Sequence, residues 1–294
     1  MSAKVDVKKK LAFLTGATDG VGRHVALGLA KANFDLILVA RNPAKANKLL
    51  EEIRHINPDT AATVLTADLT LVAEAKKVAE RVKQVTNSMD VLFQSAGIVP
   101  NKLTLNSEGI EESFAVSFLT RYVLINELLP LVLQSNEKKI LTVASPFDQA
   151  GPPHIQFDDL NRTTVKFSAN GTVRQFQEAN EVLTVELDET YRQHGLKSFC
   201  INPGIVNTGI HKGWPPLIRF FLTKVVGPFM MVEPEQSARI PLNLALNVSS
   251  ERGPLISNKG KSIKTDARYL DTHYRKRLFD ACNDLAKLGG EAKF

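Results

Sequence analysis

Between Leu11 and Gly22 the chain reads LAFLTGATDGVG, a short apolar run that breaks into a loop with glycines at 16, 20 and 22. An apolar run of that length ending in glycine is the pattern of a buried parallel strand, and the following VGRHVALGLAKA carries its apolar residues at helical spacing. A strand, a glycine loop and a helix in immediate succession make a cradle for a dinucleotide. Glycines let the backbone approach a pyrophosphate closely, and the helix N-terminus beyond offers N–H groups and the positive end of a dipole. The spacing here is G-x-x-x-G-x-G, so the commonly quoted fingerprint G-x-G-x-x-G is not matched.

The rest of the chain alternates in the same way. FDLILVA reads as a second strand, Pro43 to His55 as a helix ended by Asn57-Pro58, ATVLTADL as a third strand, and Val72 to Val85 as an amphipathic helix. MDVLF, KKILTVA and LKSFCIN are further strands. Ser107 to Gln134 reads as a helix pair or one long bent helix, and Arg174 to Tyr191, Pro234 to Leu246 and Thr272 to Leu288 as helices. Pro146 to Thr172 is polar and rich in turn residues, a long connection bordering a substrate site. Strands alternating with helices imply parallel pairing with right-handed crossovers. The expectation is an α/β doubly wound parallel sheet, a Rossmann fold, in a single domain covering 1–294.

Several motifs then fall in an order that resembles the short-chain dehydrogenase/reductase family, and its retinol-dehydrogenase-like members in particular. Thr15, Gly16, Gly20 and Gly22 fit the T-G-x-x-x-G-x-G loop; Asp68-Leu69 resembles the D-L pair that contacts adenine; Gln94-Ser95-Ala96-Gly97 resembles the N-N-A-G turn. Ser145 follows KILTVA, where the family has its catalytic serine, and Asn202-Pro203-Gly204 with Thr208 resembles the P-G-x-x-x-T loop at the nicotinamide. The resemblance implies a nicotinamide dinucleotide held by Thr15, Gly16, Thr18, Gly20, Val21 and Gly22, by Asp68 and Leu69, by Ser95, Ala96 and Gly97, and by Pro203, Gly204, Val206 and Thr208. Arg41, directly after the second strand, suits the 2′-phosphate of NADP, whereas an acid there would accept from the 2′-OH of NAD. Asp35 stands at the wrong end of that strand to compete, so NADP(H) is favoured over NAD(H).

The family's base is a Tyr followed four residues later by a Lys, and this chain has no Tyr-x-x-x-Lys anywhere. Tyr122 is followed at that distance by Asn126, Tyr191 by Gly195, Tyr269 by His273 and Tyr274 by Leu278. The resemblance puts Val173 at the Tyr position, Gln177 at the Lys position and Ser117 at the position of the fourth catalytic residue, an Asn. Only Ser145 of the four is retained. In carbonyl reduction negative charge develops on oxygen as hydride reaches carbon, and a donor must meet it. Val173 has no proton to give. Gln177 can hydrogen-bond a ribose hydroxyl but carries no charge to lower a neighbouring pKa.

Composition narrows the partners. The 44% hydrophobic and 23% charged content is that of an ordinary globular protein. Two cysteines, Cys200 and Cys282, cannot form a secreted-type disulfide framework, which favours a reducing, intracellular setting, cytoplasmic by default, with organellar association left open. MSAKVDVKKKLAF is neither a signal peptide nor a membrane span. The net charge of +6 is spread rather than clustered with aromatics, so no nucleic acid is expected. WPPLIRFFLTKVVGPFMMV, from Trp214 to Val232, falls in the family's variable segment, here about 211–234. It reads as a lid over a substrate cleft, with a peripheral membrane contact or a partner face as alternatives.

Three functions remain. The first is a family member that keeps the fold and NADP(H) but is impaired as a classical oxidoreductase, acting as a cofactor-responsive binding or structural protein. The second is an active NADP-dependent oxidoreductase on an apolar alcohol or carbonyl, its proton coming from His154, Glu178 or a water held by Ser145 and Ser117. His154 and Glu178 read more readily as surface groups. The third is a scaffold subunit of a larger assembly without nucleotide. A homodimer is left open, and no metal site is expected.

Overall fold

The computed structural model describes residues 9–144, 152–206, 231–247 and 252–287. Ser145, Thr208 and most of 211–234 lie outside the described residues. Among the described residues seven parallel strands form one sheet: β1 Leu11–Thr15, β2 Asp35–Ala40, β3 Ala62–Thr66, β4 Val91–Gln94, β5 Lys139–Val143, β6 Lys197–Ile201 and β7 Leu255–Ile256. Their order is β3-β2-β1-β4-β5-β6-β7. The described helices are α1 Gly20–Lys31, α2 Pro43–Ile56, α3 Val72–Val85, α4 Glu112–Leu133, α5 Ala169–Tyr191, α6 Pro234–Leu246, α7 Ala267–Leu270 and α8 Thr272–Ala286.

The chain steps outward from β1 to β3 and then returns to place β4 on the other side of β1. That reversal opens a crevice beyond the carboxyl ends of the strands, the position where doubly wound sheets bind ligands. The central strands are mainly apolar because helices cover both faces of the sheet. Phe13 of β1 belongs to a core shared with α3, α4, α5 and α8, while its neighbours Ala12 and Leu14 belong to a core shared with α1, α2 and α6.

Three boundaries depart from the sequence pattern. β7 is an addition, two buried residues paired to Cys200 and Ile201, too short to register as an apolar run. α4 is one long helix that starts at Glu112 rather than near Ser107, because the Glu111 carboxylate accepts from the Phe114 N–H at 2.7 Å and caps it there. Its second turn, Ala115–Leu119, is widened to the π form. α5 starts at Ala169, five residues before Arg174, capped by Ser168 accepting from Gly171 N–H at 3.2 Å. Asn170 and Gly171 are weak helix formers, so the sequence pattern assigns them to the connection.

α4 is the one helix among the described residues long and apolar enough to cross a bilayer, and 78% of its apolar window is buried. It is the central core helix. α8 closes over it: the Tyr122 hydroxyl donates to Asn283 Oδ1 at 2.7 Å, and the Tyr122 and Phe279 rings stack with centroids 5.7 Å apart. Cys200 and Cys282 are both buried free thiols. Tyr122→Phe keeps the stacking and leaves the buried Asn283 oxygen without that donor. The expected loss is about 1 kcal/mol, or about 2 °C in Tm, read by thermal denaturation against Phe279→Leu.

Candidate functional site

At the switch point the chain leaving β1 and the chain leaving β4 come so close that the residue after β1 has no room for a side chain. A Cβ on Gly16 would stand 2.4 Å from the Ala96 nitrogen and 2.6 Å from the Ser95 carbonyl carbon, and Gly16 sits at φ +69°. Thr15, just before it, is buried, and its Oγ1 accepts from the N–H groups of Ser95 and Ala96 at 3.3 and 3.4 Å. A Cβ on Gly22 would lie 2.3 Å from Gly16 O, so the first turn of α1 packs directly under the loop. The result is a cleft of about 990 Å³ over the carboxyl ends of the strands.

One end of the cleft is polar and exposed. Gly16, Thr18, Asp19, Gly20 and Val21 form its floor, and Arg41, Asn42, Lys45, Asp68, Leu69 and Thr70 its rim. Asp19 caps α1, its Oδ1 accepting from Gly20 N–H at 2.9 Å, and Lys45 Nζ reaches Asp19 Oδ2 at 2.6 Å. Arg41 lies 3.8 Å from Asp68 Oδ2 and keeps 69% of its side chain exposed. A pair this exposed is worth little, so the guanidinium is readily drawn to another anion. Asp68 is oriented by Thr70, whose N–H and hydroxyl both donate to Oδ1. Asp35 begins β2, where it accepts from Ala61 N–H, far from this rim.

The other end is apolar. Ala96, Gly97, Ile98, Val116, Ser117, Val143, Ala144, Val173, Phe176, Gln177, Pro203, Gly204, Ile205 and Val206 wall it. Val173 and Gln177 are one turn apart on α5 and both face the cleft. Ser117, in the π turn of α4, accepts from Ile98 N–H at 3.2 Å and donates back to Ile98 O at 3.4 Å. Gln94 turns away from the cleft, its amide donating to Arg121 O at 3.1 Å. Thr15 and Gly22 stand behind the wall rather than in it, packed against the loop.

The relocated proton donors fare differently from their expectation. Glu178 is not a surface group: it is fully buried, accepting from Tyr274 Oη and from His154 N–H, both at 2.6 Å. His154 is half-buried, and burial lowers its pKa. Both lie on the side of α5 that faces Tyr274 and Arg268, and neither lines the cleft. Glu111 does line it; burial raises its pKa, although it is engaged by Ser113 Oγ and Phe114 N–H as the cap of α4. Among the described residues no cluster suited to a metal ion occurs.

The sequence reading missed one group of consequence. Arg121, one turn after Ser117, is 5% exposed and lines the apolar end. Its Nε and Nη2 donate to Ala96 O at 3.2 and 2.5 Å, and its Nη1 to Val143 O at 2.9 Å and Asn180 Oδ1 at 3.3 Å. Asn180 in turn donates to Ser117 O at 2.9 Å and Phe176 O at 2.6 Å. Burial pushes the Arg121 pKa down to about 10, which still leaves it charged at neutral pH. The signal was present: Arg121 is the one cation between Phe114 and Leu133, a stretch otherwise built for a core.

Gly16→Ala forces a side chain against β4 backbone at a left-handed φ, so neither strand can yield cheaply. The expected cost is at least about 2 kcal/mol, read as a lower denaturant midpoint with an unchanged slope.

The sequence model of the family described as short chain dehydrogenase matches residues 10–157, just over half of the chain. The human protein named retinol dehydrogenase 13 is 28% identical over 213 residues, 72% of this chain and 64% of its own length, so the match leaves about a third of that relative uncovered. Among solved structures, an uncharacterized protein from Mycobacterium paratuberculosis aligns with a TM-score of 0.70 at 20% identity, covering 97% of this chain and 95% of the other. The Pseudomonas aeruginosa RhlG/NADP active-site complex aligns at 0.64 and 18% identity, over 84% and 94%. Sheet order, glycine loop and sequence match converge, and this chain belongs to the short chain dehydrogenase family.

Proposed function

We propose that this chain binds NADP(H) across the switch-point cleft and is impaired as a classical oxidoreductase, serving as a cofactor-responsive binding protein. The observation that carries the reading is that one cleft joins an intact glycine loop with Arg41 at its rim to a wall in which residues 173 and 177 are Val and Gln. The residues fit the group: the close-packed Gly16–Gly22 loop and the N-terminus of α1 suit a pyrophosphate, and Arg41 with Lys45 suits a 2′-phosphate. The opposite ring then belongs with Ala96, Gly97, Val143 and the Pro203–Val206 loop. When bound, a nicotinamide dinucleotide supplies or accepts a hydride.

On the protein's side, Gln177 offers a ribose hydroxyl a neutral hydrogen bond and Ser117 keeps the π turn tied to Ile98. Neither Val173 nor Gln177 delivers a proton to a developing alkoxide. The apolar wall around Ile98, Val116, Phe176 and Ile205 suits an apolar alcohol, carbonyl or ligand, and the similarity to a protein named for retinol supports the same class. No feature of the described residues favours the scaffold reading, since the Trp214–Val232 stretch lies almost wholly outside them.

Titration of the purified protein with NADPH and NADH, followed by nicotinamide fluorescence and thermal shift, tests this. Saturable NADPH binding is expected, with NADH at least about tenfold weaker; binding of neither overturns the reading. Arg41→Ala is expected to weaken NADPH about tenfold, roughly the loss of one charge-assisted hydrogen bond, and to leave NADH within about twofold. The paired change Val173→Tyr with Gln177→Lys restores a general acid and its cation. It is expected to raise reductase turnover on an apolar aldehyde by about 10² or more over the unmodified chain. A brisk NADPH-dependent rate in the unmodified chain would sink the impairment.

A further inference from the structure

The buried guanidinium of Arg121 has no role in the fold that its charge requires. Its acceptors are two main-chain carbonyls and one side-chain amide, all neutral dipoles, and among the described residues no carboxylate reaches ion-pair distance of it. The buried carboxylate of Glu181 on α5 makes no ion pair with it; beside the effect of burial, both charges act on the Cys200 thiol, which Glu181 pushes up and Arg121 pulls down. Burying an unpaired cation is costly, and a carbonyl-rich pocket offsets only part of that cost. A neutral side chain would tie Ala96 to Val143 without the penalty. The charge therefore sits as a fixed positive pole within the apolar end of the cleft. Nη2 would be 3.3 Å from a Cβ on Gly97, and Gly97 itself is cleft wall.

Position turns that pole into a selector. A dinucleotide with its pyrophosphate on the glycine loop would extend its nicotinamide toward the Ala96, Gly97 and Val143 end, the segments whose carbonyls hold the Arg121 guanidinium. The oxidised nicotinamide ring carries a positive charge and the reduced ring carries none. In a poorly solvated site two like charges at this range repel, while a neutral ring is indifferent to the cation. We propose that Arg121 makes the cleft selective for the redox state of its cofactor, favouring NADPH over NADP⁺. Resting on the NADP(H) reading above, this makes the protein a reporter of reduced dinucleotide rather than of total dinucleotide.

The test is isothermal titration of the full chain with NADPH and with NADP⁺ separately, comparing the ratio of the two Kd values across variants. The unmodified chain is expected to hold NADPH about tenfold or more tightly than NADP⁺, a difference of about 1.4 kcal/mol. Arg121→Lys keeps the charge and is expected to keep most of the ratio, whereas Arg121→Gln is expected to bring it within about twofold of unity. Asn180→Asp offers an independent arm, since it sets a carboxylate against Nη1 without removing the arginine, and should shrink the ratio likewise. Equal affinity of the unmodified chain for both forms overturns the proposal even if no variant folds, and so does an undiminished ratio in a folded Arg121→Gln protein. Binding of neither nucleotide overturns this proposal together with the reading it rests on. Binding of both at equal affinity overturns this one alone.

Discussion

The near contact between the ends of β1 and β4 governs everything built above the sheet. Two parallel strands that turn away from each other must leave a crevice, and its width depends on how closely their outgoing loops can run. Gly16 allows them to touch, Thr15 stitches them with its hydroxyl, and Gly22 lets α1 rise from directly beneath. The helix N-terminus is thereby aimed along the crevice, which is what makes it an anion site rather than merely a helix start. Substitutions elsewhere alter what the cleft does; this contact decides whether there is a cleft.

A second constraint lies under the apolar end. α4 passes beneath the outgoing loops of β4 and β5, and the carbonyls of Ala96 and Val143 point down at it. Arg121 satisfies both and recruits Asn180 of α5, which continues to Ser117 O and Phe176 O. Two strands and two helices are thus joined through one guanidinium and one amide. The π turn at Ala115–Leu119 belongs to this arrangement: its Ser117 carbonyl accepts from Asn180 and its Ser117 hydroxyl meets Ile98. Val173 and Gln177 are presented to the cleft by this same frame.

How much of this could be read from residues alone follows from what kind of signal each feature leaves. Strands covered on both faces show up as apolar runs, and the glycine loop is legible because no other residue tolerates those approaches. The rim was legible too, since Arg41 and Asp68 follow directly from the ends of β2 and β3. Side-chain networks leave no such periodic trace. Glu178 read as a surface acid because carboxylates usually are; it is buried because Tyr274, which lies 96 residues later, supplies its hydroxyl. Spacing alone does not show that Thr15 and Gly22, within the motif, also pack against the backbone behind the loop. Arg121 was hidden by its surroundings: in a stretch of apolar core residues, the periodicity drew attention to the stripe and not to the exception within it.

The seal of α8 over α4 carries a consequence for how the chain becomes folded. Tyr122 bonds to a residue 161 positions later, and Lys76 of α3 donates to Ala286 O across 210. Until Thr272–Ala286 has been synthesised, the outward face of α4 around Tyr122 stays uncovered even if β1 to β5 have already paired. Such long-range closure slows folding and prolongs the exposure of apolar surface, so the emerging chain has a wide interval in which it depends on protection from aggregation. Tyr122 adjoins Arg121 in sequence, so the helix that carries the guanidinium reaches its final packing only once Thr272–Ala286 has docked.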